Sequence, residues 1–243
     1  MSAIQAQVEE LGPWITGFEF RGERYGGKYE PKQDSRVVGF IDRFRSRLQK
    51  ADIGASQLRI MECGCLEGYH TVLLAEAFPN AEIVATDVRE NNLQRARFLA
   101  SLYKLRNIRW INENLANPKV VWGDDYDAIF CVGLLYHLRD PAKFLFEAAT
   151  RTSFLWLWTV ICAETEAVIN EGRYRGRILA EKPSHPLSGW ERESFLPTLG
   201  SLADMLWDAG FRSICLLDKG LTANNNGPFI LLQAERELSR TTS

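Results

Sequence analysis

Glu62, Gly64, Gly68 and Asp87 stand at a spacing that has chemical meaning. An apolar run, Leu58-Arg-Ile-Met61, ends in Glu62 and the two glycines. Val72, Leu73, Leu74, Ala77 and Phe78 then supply the apolar face of a helix, so the stretch reads as strand, glycine turn, helix. A second apolar run, Ile83-Val-Ala85, closes on Asp87, nineteen positions past Gly68. That is near the spacing at which a nucleoside-binding fold sets an acid on a ribose hydroxyl. A pyrophosphate loop would read Gly-x-Gly-x-x-Gly, so that backbone N–H groups and a helix N-terminus meet the phosphates. Here Glu62 occupies the position of the first glycine, and three residues rather than two separate Gly64 from Gly68. A carboxylate at the tip of the first strand repels phosphate and attracts a cation. The pattern therefore suits a nucleoside ligand that carries ammonium or sulfonium groups.

In these residues the chain resembles the class I S-adenosylmethionine-dependent methyltransferases, whose first motif is acid-x-Gly-x-x-x-Gly. The resemblance implies that Glu62, Cys63 and the Gly64–Gly68 backbone hold the methionine end of the cofactor. It also implies that Asp87 binds the ribose diol and that Val88 lies against adenine. The stretch from Asn107 to Leu115 is similar to the family's third strand, placing Asn114 and Leu115 at the adenine edge, with Asn114 where many relatives have Asp. The stretch Tyr126 to Pro141 is similar to the fourth strand, ending at Val132, and to the loop after it. That Gly133-Leu-Leu-Tyr136-His137-Leu-Arg-Asp-Pro141 loop looks like a branch that includes tRNA wobble-uridine carboxymethyl-transfer enzymes beside many small-molecule and sugar methyltransferases.

Methyl transfer from a sulfonium is an in-line displacement, driven largely by positioning, with a base needed when the acceptor must lose a proton. Among three histidines, His137 lies on the loop that faces the cofactor methyl in the family, and Tyr136 beside it shapes the pocket. His70 and His185 have weaker positional claims. The leading expectation is an enzyme that methylates oxygen or nitrogen of a small molecule, a sugar or secondary metabolite. Two alternatives stand beside it: an RNA-modifying enzyme, and a non-catalytic cofactor-binding regulatory subunit.

The elements that must place these residues form an alternation of strand and helix, which argues a doubly wound, Rossmann-like α/β sheet of seven strands. It should be mostly parallel with an antiparallel last strand and helices on both faces. In such a sheet Glu62, Asp87, Asn114 and Val132 fall at carboxyl ends of strands, where ligands bind. Residues 1–55 read as an extension, with an amphipathic helix over Ser35 to Ala51 preceded by an aromatic, glycine-rich segment, Trp14 to Pro31. That segment is either a lid using Tyr25 and Tyr29 or a structural extension docked through Trp14, Phe18 and Phe20. Residues 56–235 read as the methyltransferase domain, with Asp140 and Thr198 as helix caps and Gly210 as a helix stop. Residues 236–243 read as a frayed tail.

Glu164 to Pro197 reads as a long insertion whose length points to function. Arg173, Tyr174, Arg175, Arg177, His185 and Trp190 are its candidates for acceptor recognition.

At 243 residues with 46% hydrophobic content, one large globular domain is expected. A net charge of −2 gives no broad basic field, which argues against nucleic acid as a partner. No run reaches the ~18 apolar residues of a membrane span. With no basic, apolar leader at the N-terminus, a cytoplasmic protein is expected, and a homodimer is compatible. Five cysteines, an odd number, suit reduced thiols, and Cys63-x-Cys65 lacks the second pair that a zinc site requires, so no metal is expected.

Overall fold

The computed structural model describes residues 2–28, 34–51, 58–220 and 227–236. They fall into two compact units, 1–113 and 114–243.

The first unit opens with helix α1 (Ala3–Glu10), whose first turn is capped by the Ser2 hydroxyl. Strands β1 (Gly17–Phe20) and β2 (Glu23–Gly26) follow as an antiparallel hairpin. Helix α2 (Ser35–Lys50) buries Val37, Phe40, Phe44 and Leu48, as its apolar spacing predicts. Next come β3 (Arg59–Cys63), α3 (Tyr69–Ala77), β4 (Glu82–Asp87), α4 (Glu90–Leu102) and β5 (Ile108–Asn112). β3 and β4 pair in parallel, as do β4 and β5. Ile83, Val84 and Ala85 are fully buried, as expected of a strand covered on both faces.

The second unit contains β6 (Ala128–Val132), α5 (Pro141–Arg151), β7 (Phe154–Val160), β8 (Ile169–Glu171), β9 (Tyr174–Ala180) and β10 (Glu193–Pro197). It ends with α6 (Leu199–Ala209), β11 (Ser213–Gly220) and β12 (Phe229–Glu235). Asp140 Oδ1 accepts from the Lys143 N–H at 2.9 Å with Pro141 as the first helical residue of α5. Thr198 caps α6, and Gly210, at φ 109°, closes it. β6 and β7 are parallel, whereas β12 runs antiparallel to both β7 and β11. The seven strands run in the order β11-β12-β7-β6-β3-β4-β5, a Rossmann-like α/β sheet in which the last strand alone opposes the others. Among the described residues, no helix is long and apolar enough to cross a membrane.

Two segments differ from a reading by periodicity. Residues 164–197 contain a second sheet, β10-β9-β8, all antiparallel. Its strands escape notice because Arg175, Arg177 and Glu193 interrupt the apolar pattern. Gly176 permits the pairing: a Cβ there would lie 2.1 Å from the Leu196 carbonyl oxygen.

The aromatic segment near the N-terminus is packed rather than free. Phe18 and Tyr25 are buried and stacked, with centroids 5.6 Å apart, in a cluster with Val8, Tyr69, Val72 and Leu99. The Trp14 indole N–H donates to the Val8 carbonyl at 2.9 Å. Docking describes Trp14, Phe18, Phe20 and Tyr25, while Tyr29 to Pro31 lie outside the described residues. So do the expected linker from Asp52 to Gln57, the turn at Asn224 to Asn226, and the tail beyond Arg236.

Candidate functional site

In the first unit, the turn from β3 to α3 is held by its own polar groups. Gly64 and Gly68 take left-handed φ values of 73° and 79°, and Leu66 between them sits at 50°. Gly68 has a second reason to lack a side chain: a Cβ would lie 2.6 Å from the Ala96 Cβ and 2.9 Å from its Cα, so α4 passes directly against the turn. The N–H groups of the turn point inward. Cys65 N–H donates to the Thr86 carbonyl (2.7 Å), Leu66 N–H to Asp87 Oδ2 (2.9 Å) and Gly68 N–H to the Cys65 carbonyl (2.9 Å). A loop built for a pyrophosphate would turn these donors outward.

Two acids lie at the ends of the strands on either side of this turn. The Glu62 side chain, in a residue 2% exposed, accepts one hydrogen bond at its carboxyl, from the Thr71 hydroxyl. Burial, with the Asp87 charge adding to it, pushes its carboxyl up to about 8 against that single donor. Asp87, 8% exposed, accepts from Leu66 N–H, from Arg89 N–H (2.8 Å) and from the Asn92 amide (3.1 Å). Burial raises its carboxyl too, opposed by those three donors. A carboxylate offers about four acceptor positions, so Asp87 keeps room for about one hydroxyl. Cys63 and Cys65 are buried thiols, and burial raises Cys65 further beside the two acids. Val88 is half-buried directly after Asp87.

Several supporting residues carry no signal in the local sequence. The Thr86 hydroxyl donates to the Glu62 carbonyl at 3.0 Å, and the Asn112 amide donates to the Asp87 carbonyl at 3.0 Å. Glu67, 1% exposed, accepts from Ile15 N–H (3.0 Å) and Thr16 N–H (2.7 Å), tying the N-terminal segment to the turn. His70 lies 3.2 Å from Asp34, the cap of α2.

In the second unit, Asn114 uses its side-chain oxygen on the Ala116 N–H at 3.0 Å, which leaves its NH2 as the group to offer a base edge. Leu115 and Val132 are buried, and Val132 ends β6. Gly133, at φ 89°, then turns the chain into a single helical turn, Leu135–His137. Tyr136 packs its ring 4.1 Å from that of His137 and edge-on to Trp158.

His137 Nδ1 lies 2.8 Å from Glu181 Oε1, a residue forty-four positions later that the sequence reading did not single out. The Glu181 side chain is 4% exposed. Burial alone would raise its carboxyl, but hydrogen bonds from Ser188, His137 and the Gly189 N–H outweigh this and hold it below the usual carboxylate range. His185 is exposed and accepts from Leu187 N–H in a local turn.

The arginines of the insertion are engaged with acids: Arg173 with Asp208 (2.6 Å), Arg175 with Glu164 (3.2 Å) and Arg177 with Glu166 (3.4 Å). Among the described residues, no three His, Cys, Asp or Glu side chains gather as a metal site.

Residues 60–152 match a family model described as a methyltransferase domain. The N-terminal domain of EvdMO1, crystallised in the presence of SAH and D-fucose, is 28% identical, covers 96% of each chain and superposes with a TM-score of 0.79. A tRNA U34 carboxymethyltransferase of Sulfurimonas denitrificans is 24% identical over 177 residues, 69% of this chain and 53% of its own length. A malonyl-[acyl-carrier protein] O-methyltransferase of Bacillus cytotoxicus is 31% identical over 96 residues, 39% of this chain and 32% of its own. The chain thus spans about half or less of these two curated relatives. A buried acid beside an inward-turned glycine loop fits a cationic sulfonium ligand, and matched sequence and matched fold agree: residues 60–152 carry a methyltransferase domain, in a chain with the fold of the class I S-adenosylmethionine-dependent methyltransferases.

Proposed function

We propose that the protein transfers the methyl group of S-adenosylmethionine to an oxygen or nitrogen of a small molecule of the sugar or secondary-metabolite class. The observation that carries the reading is Glu62: a buried carboxyl with one hydrogen-bond donor gains most from a ligand that brings positive charge to it. Glu62, Cys63 and the turn through Gly64 and Gly68 take the methionine end, and Asp87 takes a ribose hydroxyl with Val88 beside the base. Asn114 and Leu115 offer the adenine edge, and Val132 is the remaining cofactor-binding residue. Tyr136 and His137 serve the acceptor. When bound, the cofactor supplies an electrophilic methyl on a positively charged sulfur. The likeness to the EvdMO1 domain, whose crystals contained D-fucose, supports a sugar-like acceptor.

RNA modification is the second reading, favoured by the likeness to the tRNA U34 carboxymethyltransferase. It calls for cations free to meet phosphates, whereas Arg173, Arg175 and Arg177 are each matched by an acid. Calorimetric titration with S-adenosylmethionine and NAD tests the donor, and transfer of a labelled methyl to sugars or to bulk tRNA tests the acceptor. Binding of S-adenosylmethionine with label in the sugars supports the proposal. Label in tRNA alone, or binding of NAD alone, contradicts it.

A further inference from the structure

We infer that Glu181 is the positioning residue of a histidine–carboxylate pair, in which His137 Nε2 takes the proton from a hydroxyl acceptor. The inference rests on the methyl-transfer reading above and narrows it to oxygen. It stands on geometry that the inserted strands create.

Glu181 follows β9 directly. Its Oε1 meets His137 Nδ1 at 2.8 Å and the Ser194 hydroxyl at 3.1 Å. Its Oε2 accepts from the Gly189 N–H at 2.7 Å and from the Ser188 hydroxyl. Gly189 leaves the approach just enough room, since a Cβ would lie 3.0 Å from both the Glu181 carboxyl carbon and the His137 carbonyl oxygen and would press on each. A separate tether, from the Phe195 N–H to the Leu138 carbonyl at 2.9 Å, fixes β10 to the same loop. A buried carboxylate with four partners is a built arrangement rather than a surface ion pair.

The consequences for His137 follow from donor and acceptor counting. An ionised carboxylate only accepts hydrogen bonds, so Nδ1 carries the proton and Nε2 presents a lone pair. The carboxylate also stabilises the imidazolium that forms when Nε2 takes a proton, the role such a partner plays in hydrolase triads. A neutral amine can attack a methyl group without first losing a proton, whereas a hydroxyl gains from proton removal during attack. In the step, the hydroxyl oxygen bonds to the methyl carbon. The electron pair of the broken carbon–sulfur bond stays on sulfur, and the hydroxyl proton passes to Nε2 and then to solvent.

Glu181→Gln tests this with little change of shape. The backbone N–H of Gly189 can only donate, so the glutamine oxygen stays on that side and its NH2 faces Nδ1, forcing the proton onto Nε2. Nitrogen-15 shifts of His137, assigned with His70→Asn and His185→Asn variants, should show the Nδ1–H form in the native protein and the Nε2–H form in Glu181→Gln. Labelled-methyl transfer to D-fucose at saturating S-adenosylmethionine should fall roughly 100-fold in Glu181→Gln and recover in part in Glu181→Asp. Calorimetric affinity for S-adenosylmethionine should stay within about twofold, which separates this proposal from the donor assignment. An Nε2–H tautomer in the native protein, or the same tautomer in Glu181→Gln, overturns the inference, and that result decides it even where D-fucose takes no methyl.

Discussion

Glu62 and Glu181 are both buried carboxyls, yet their surroundings push them in opposite directions. Glu62, at the end of β3, has one hydroxyl donor and a second acid nearby, and its carboxyl rises to about 8. Glu181, after β9, loses water less completely and has two hydroxyls, a backbone N–H and an imidazole around it, and its carboxyl falls below the usual range. The balance of burial against donors decides the sign: Asp87, more deeply buried than Glu181, stays raised even with three donors. The difference separates a group whose charge awaits a ligand from one whose charge is already matched within the protein.

The contrast is sharpest if the acceptor side is broken first. His137→Ala should lower methyl transfer by about 100-fold or more while leaving donor affinity within about twofold, as expected for a proton acceptor that makes no contact with the donor. Steady-state kinetics beside calorimetry reads the split, and an equal loss in both would move His137 to the donor side. Asp87→Ala should do the reverse, weakening S-adenosylmethionine binding by about 1 to 3 kcal/mol with a smaller change in turnover at saturating donor.

A stability measurement probes the Glu62 side alone. Its carboxyl, ordinarily near 4.5, titrates near 8 in the folded chain. At pH 4 both the folded and unfolded chains hold the proton, whereas between about 5 and 8 the unfolded chain ionises first, so the empty fold loses stability as pH rises through that window. Glu62→Gln should remove the loss, stabilising the ligand-free protein on the order of 2 kcal/mol at pH 7 and much less at pH 4, as read by urea unfolding. The smallest effect should come from Arg175→Ala. Its pairing with Glu164 is exposed on both sides, so stability should change by less than about 1 kcal/mol and sugar methylation hardly at all.

The same two regions show what could be read from the residues alone. Glu62, Gly64, Gly68 and Asp87 fall within one strand-turn-helix-strand unit, where local periodicity and glycine spacing carry the geometry, and the sheet follows from repeating that unit. Asp140 and Thr198 were legible as caps for a similar reason, since each bonds to the N–H three residues on. Glu181 was not legible. Its partner is distant in sequence, and its strands carry alternating charge in place of an apolar stripe, so no local pattern marks them. Histidine and arginine drew the eye in the insertion, but His185 is exposed and the arginines are spent on acids. Tyr25, for which a lid and a docked extension both stood open, is held by packing against Phe18.

The central claim is that a neutral, buried Glu62 becomes charged when it meets a positive ligand. Calorimetric binding of S-adenosylmethionine at pH 7, repeated in buffers of different ionisation enthalpy, counts the protons released. The account predicts release of about one proton in the native protein and none from this group in Glu62→Gln. Equal proton release in the two proteins, or binding of NAD as tight as that of S-adenosylmethionine, would contradict it.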